Sequence, residues 1–149
     1  MRKGQAAMEF LMTYGWAILV VLAAIGALAY FGVLSPDKFL PDKCTASPPF
    51  TCSEYKAQYV DGSADIVTLV LQQNSGTNFE NVTVFMEHCV TELTNNTAVA
   101  NGDKAIFAFD DCDTGNSGSK FKATFNMTYW QEDGAIDRTV SGTIQTKVE

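Results

Sequence analysis

Four groups of residues in this sequence are of a type and spacing that could do chemistry, and Glu9 is the first. It stands at the edge of an uncharged run of 27 residues, Phe10 to Pro36. A carboxylate at a bilayer centre costs about 2.5–3.5 kcal/mol and less near the interface, so Glu9 needs a cation or a donor. Arg2, Lys3 and the positive end of a helix are the local candidates. The second group is Cys44, Cys52, Cys89 and Cys112, an even count whose ordinary chemistry in an oxidising compartment is two disulfides. Three pairings are open. Spacing favours Cys44 with Cys52, closing a short loop, and Cys89 with Cys112, tying neighbouring strands. The third group is three Asn-x-Thr acceptors for N-glycosylation, at Asn81, Asn95 and Asn126. The fourth is the acidic run Asp110-Asp111-Cys112-Asp113.

Other chemistries lack their parts. The acidic run is not an EF-hand, because Gly115-Asn116 come in the wrong order and Lys122 stands where the closing Glu belongs. A solvated acidic turn is the simpler expectation. Zinc would need more than the single histidine, His88, which is expected at the surface or half-buried at a strand end, and there is no Cys-x-x-Cys pair. No nucleophile elbow, metalloprotease helix or phosphate loop occurs, so neither an enzyme nor a bound metal or cofactor is expected. The chain carries 17 acids and 10 bases over 149 residues. Sixteen of the acids but eight of the bases lie from Asp37 onward, leaving that part at −8, which excludes phosphate-backbone recognition and hence a nucleic-acid partner.

The elements that must position these groups divide into two. An apolar run longer than 18 residues reads as a membrane-crossing helix, which excludes a freely soluble cytoplasmic protein. Its basic head, Met1-Arg2-Lys3-Gly4, places the N-terminus on the cytoplasmic side and exports the remainder. Tyr14 and Trp16 near one end and Tyr30 and Phe31 near the other suit the two interfaces. Pro36 and Pro41 are expected to stop the helix. Residues 37–54 read as a Pro-, Ser- and Thr-containing linker stapled by a disulfide.

From residue 55 to 149 the hydrophobic period is two. Val82, Val84 and Met86 alternate with Thr83, Phe85 and Glu87, and Phe121, Ala123, Phe125, Met127 and Tyr129 alternate with polar residues. Further strands are expected near Tyr55–Val60, Ile66–Gln72, Lys104–Phe109 and Thr139–Val148, with Asn101-Gly102 as the sharpest hairpin signal. The fold class is therefore α+β, a long apolar helix followed by a small antiparallel β-sandwich, with an immunoglobulin-like order among those the spacing allows.

The N-terminal residues resemble the archaeal type IV pilins that carry a class III signal peptide. The likeness rests on the basic leader Arg2-Lys3-Gly4, Gln5 directly after it, Glu9 four residues later, and the apolar helix from Phe10 to Leu34. It spans about 30 of the 149 residues, and Ala7 and Thr13 depart from the common Ser and Leu. The resemblance implies that a prepilin peptidase removes residues 1–4 by cutting between Gly4 and Gln5. The helix over residues 5–36 then serves as filament core, an assembly ATPase and a platform protein act as partners, and a self-assembled surface filament serves adhesion. It implies that Glu9 meets the new α-amino group of Gln5 on a neighbouring subunit. Cyclisation of that Gln would remove the charge and leave Glu9 with hydrogen bonds alone. Two other readings stand beside it: a secretory peptide cut at Ala27-Leu28-Ala29, whose apolar core would be unusually long, and a membrane-tethered extracellular binding module that forms no filament.

Overall fold

The computed structural model describes residues 2–32 and 40–149. They form two units, residues 1–40 and 41–149. The first is a single helix, α1, Arg2–Tyr30. At 1.5 Å per residue its 29 residues extend roughly 44 Å, more than a hydrocarbon core of about 30 Å. It ends on a glycine cap: Gly32 takes a φ of 71°, and its N–H donates to the Ala29 carbonyl at 3.1 Å. The stop thus comes before Pro36, which lies outside the described residues, while Pro41 belongs to the second unit.

The second unit is a sandwich of eight strands among the described residues. In chain order they are β1 Lys43–Ala46, β2 Phe50–Gln58, β3 Asp65–Gln73, β4 Phe79–Met86, β5 Leu93–Asn95, β6 Lys104–Cys112, β7 Lys120–Gln131 and β8 Asp137–Lys147. One sheet has the order β1-β8-β7-β4-β5 and the other β2-β3-β6, with all pairings between these strands antiparallel. If β2, β3, β4, β5, β6, β7 and β8 are lettered A, B, C, C′, E, F and G, the sheets are A-B-E and G-F-C-C′. That is an immunoglobulin-type Greek key with β1 added beside strand G. The segment expected as a linker is part of this sandwich: β1 and the first half of β2 fall within residues 37–54. Only Cys44 and Ala46 of β1 point towards the core, too few to produce a readable period.

The alternation in β7 has its expected effect. Phe121, Ala123, Phe125, Met127 and Tyr129 are all buried, facing Val82, Val84 and Met86 of β4 on the same side of the sheet and Val67, Leu69 and Leu71 of β3 across the interior. Phe50, Phe79 and Tyr129 form an aromatic knot with ring centroids 4.3–5.5 Å apart. Gly142 on β8 is opposite Phe125, and a Cβ there would stand 2.3 Å from the Phe125 ring and 2.5 Å from the Thr45 carbonyl oxygen. The buried core side chains all lie between Phe50 and Val148, so the helix contributes none of them.

Asn101-Gly102 forms a turn but not a hairpin. Asp103 N–H bonds the Ala100 carbonyl at 3.0 Å with Gly102 at a φ of 90°. Asn101 is not in the positive-φ region that a two-residue hairpin of type I′ requires at both central positions. The chain therefore crosses here from one sheet to the other instead of folding back beside itself.

Candidate functional site: the N-terminal helix

On α1, Gln5 and Glu9 are one turn apart, both exposed, beside a shallow groove lined with Met8, Met12 and Thr13. Thr13 donates its hydroxyl to the Glu9 carbonyl at 2.7 Å, which satisfies that hydroxyl within the helix and leaves the exposed Glu9 carboxylate uninvolved. Phe10 and Tyr14, also one turn apart, pack with ring centroids 4.7 Å apart and their planes tilted by 40°. At 100° per residue, Gln5, Glu9, Thr13, Trp16, Val20, Ala23 and Ala27 share one sector of about 80°. Gly4, Gly15 and Gly26, spaced by eleven residues or about three turns, lie along another.

The helix is apolar all round. Gly4–Tyr30 has a mean hydropathy of 2.1 in its most apolar window, none of which is buried in the protein, and is long and apolar enough to cross a membrane. A helix apolar on every side requires an apolar environment on every side. Gly15 and Gly26 sharpen the point, because each costs about 1 kcal/mol against alanine in a helix, yet a Cβ there would meet nothing within 4 Å beyond its own turn of helix. Nothing among the described residues requires these glycines.

No family model and no curated protein matches the chain.

The other candidate residues lie in the headpiece and do not converge on a catalytic cluster. Cys44 bonds Cys52, and Cys89 bonds Cys112. The second bridge joins backbone neighbours, as expected: Cys89, just after β4 of the five-stranded sheet, is the antiparallel bridge partner of Cys112 at the end of β6 in the three-stranded one. Cys44 on β1 and Cys52 on β2 are likewise in different sheets. Along β3 the two bridges stand at opposite ends, Cys52 beside Leu71 and Cys112 beside Asp65. Both are inter-sheet clamps, and their oxidised state fits an exported domain.

Asn81, Asn95 and Asn126 all belong to the five-stranded sheet. Asn81 and Asn126 are exposed, Asn81 at a bulge with a φ of 48°. The half-buried Asn95 accepts the Thr97 N–H through its side chain at 2.9 Å. His88 is exposed in the turn after β4, with a φ of 67° and its ring edge-on to Phe121. Among the described residues no group of three or more His, Cys, Asp or Glu side chains is placed to hold a metal ion.

Asp65 is a residue that sequence reasoning passed over. Its carboxylate is buried and accepts the Val60 N–H at 3.1 Å, the Thr114 N–H at 3.2 Å and the Thr114 hydroxyl at 2.6 Å, joining the β2–β3 loop to the β6–β7 loop. The Thr114 hydroxyl, then the Val60 and Thr114 amides, hold it below the ordinary carboxylate value against the opposing effect of burial. Thr114 is 49 residues away in sequence, and no local signal pairs the two.

Proposed function

We propose that the chain is a structural subunit of a surface filament, a type IV pilin of the archaeal kind, assembled through α1. The observation that carries this reading is an apolar helix with no apolar partner among the described residues, bearing an exposed carboxylate one turn after Gln5. Removal of residues 1–4 by a prepilin peptidase exposes an α-amino group on Gln5. Glu9 of one subunit pairs with that amino group on the next as the helices leave lipid and pack against one another. Gly15, Gly26 and the run of alanines from Ala23 to Ala29 permit close helix approach, in which small residues replace lipid contacts by packing. Leaving one member of a buried ion pair unpartnered costs about 3–5 kcal/mol, so the Glu9 contact selects the axial register of each incoming subunit. An assembly ATPase and a platform protein supply the extraction work, the sandwich forms the outer surface, and adhesion is the role.

The test has two parts. Peptide mass spectrometry of the mature chain is expected to find Gln5 as the first residue; a chain beginning at Met1 supports the membrane-tethered module, and one beginning at Tyr30 supports a secretory peptide. Glu9→Ala is expected to leave cleavage intact and to reduce filament number by about a hundredfold or more, the effect of leaving one buried charge without its partner, counted by electron microscopy. Wild-type filament numbers in that variant would remove Glu9 from assembly.

A further inference from the structure

A two-sheet sandwich has four edge strands, and unpaired edges recruit other strands unless they are short, bulged, charged or covered. Three of the four edges here are closed in those ways. β1 has four residues and β5 three. β2 is bulged between Cys52 and Glu54, and its far end is covered by the C-terminus, where Glu149 N–H bonds the Ala57 carbonyl at 3.0 Å and Tyr59 N–H bonds the Glu149 carbonyl at 2.9 Å.

β6 differs. It is nine residues long, and its one strand partner among the described residues is β3. Among those residues its outer edge is closed at the C-terminal end alone, where Cys112 bridges Cys89 with Val90 N–H on the Asp111 carbonyl and Asp113 N–H on the His88 carbonyl. Its one irregularity, where Asp110 and Asp111 oppose Ile66, lies at that same end. Between Lys104 and Asp110 there is no charge, no proline and no bulge, and Ile106 is 69% exposed on the outer face.

We infer that the open edge of β6 pairs with β6 of a second copy of this chain, antiparallel and centred on Phe107, joining two three-stranded sheets into one of six. The strand's own charge pattern selects this occupant and this direction. In that register Lys104 of each copy, which within its own chain holds only the exposed Glu54 at 3.2 Å among the described residues, faces Asp110 of the other; Ile106 faces Ala108 on the same outer face, and Ala105 and Phe109 face each other on the inner one. Opposite charges directly across an antiparallel pair attract, whereas a parallel arrangement sets like residues side by side. Two copies of a unit with a net charge of −8 repel overall, and the stretch between Lys104 and Asp110 adds nothing to that repulsion. The contact is the same patch on both partners, an isologous two-fold, made by strand addition. A seven-residue strand pair is small beside a standard interface, so the association is weak between isolated chains and strong between arrays that repeat it. A two-fold contact cannot repeat within a polar filament. It joins two filaments, or two membrane-held copies, and holds whether or not the filament reading does.

The experiment uses the full-length chain in detergent micelles, one chain per micelle at low concentration, with hydrogen exchange and sedimentation followed as concentration rises to about 1 mM, a range set by the small interface. Dimer is expected to accumulate while amides between Lys104 and Asp110 gain protection. Ile106→Lys, which places a charge on an exposed position, is expected to abolish both signals while β3 amides stay protected, showing the fold intact. Lys104→Asp is expected to weaken dimerisation about tenfold, since two facing pairs become repulsive, and Lys104→Asp with Asp110→Lys to restore it. Concentration-independent exchange in β6, a dimer indifferent to Ile106→Lys, or failure of the charge swap to restore association would each overturn the inference. Association through α1 alone gives the second of these results.

Discussion

Side chains of the same kind meet opposite fates in the two units. Leu22 and Val21 on α1 leave more than half of their surface uncovered, whereas Leu69 and Val84 in the sandwich leave none. The glycines divide in the same way. Gly142 is required by Phe125 and Thr45 pressing on it from within the chain, while Gly15 and Gly26 face open space. The sandwich interior satisfies its own residues, whereas α1 finds no such partners among the described residues. Substitutions in the sandwich interior should therefore register in the stability of the isolated chain, and substitutions in the helix chiefly in what the chain assembles with.

The largest effect that could break this contrast is at the disulfides. Replacing Cys89 and Cys112 by Ser opens a loop with a sequence separation of 23, against 8 for Cys44 and Cys52. Loop-closure entropy then predicts losses of about 3.4 and about 2.6 kcal/mol respectively. Urea unfolding of each variant checks the order, and α1 helicity in detergent should not change in either. Next comes Gly142→Ala, whose methyl must displace Phe125 or the β1 backbone and is expected to cost about 1–3 kcal/mol in the same assay.

Gly15→Ala is expected to act in the opposite sense on the two states, since nothing in the chain meets the new methyl. Helix stability in detergent should rise by about 1 kcal/mol, read by thermal circular dichroism, while filament yield falls. An unchanged yield would mean that no neighbour approaches there.

The smallest effect is pH-dependent and belongs to Asp65. Its folded-state value is lowered, so its contribution is fully present above the unfolded-state value of about 3.9 and is lost as pH falls through the lower folded value. Between pH 5 and pH 2 the wild-type sandwich should lose stability more steeply than Asp65→Asn, which is already without the carboxylate. Parallel slopes in urea unfolding would show that Asp65 does not report on folding.

Legibility in the sequence followed the same division. The helix was readable because its environment requires a composition, and composition is local. β4 and β7 were readable because each presents three or more large side chains in strict alternation. β5 was not, since Leu93-Thr94-Asn95 holds one apolar residue and exists as a strand because β4 has an edge to be covered. The helix stop was assigned to proline, the stronger breaker, although Gly32 in a left-handed cap ends it earlier. The cysteine pairing followed from spacing, but its role as a clamp between sheets depends on which strands face one another. Asp65 is the limiting case: it resembles any acid after a Gly62 turn until the fold brings Thr114 to it. Near the N-terminus, the positions of Gln5 and Glu9 on one helix face followed directly from their spacing of four.

A mechanical consequence attaches to Cys44. The chain enters the sandwich at Pro41, so a load pulled through α1 arrives first at β1, whose four residues hold β8 by the few hydrogen bonds of a short antiparallel pair. Such a strand would peel from its leading residue under tension. The Cys44–Cys52 bond lies one residue into it and transfers the force covalently to β2 in the opposite sheet, which is paired along β3 from Phe50 to Gln58. Traction that would peel one short strand is thereby shared with the opposite sheet, with the peel arrested after Lys43.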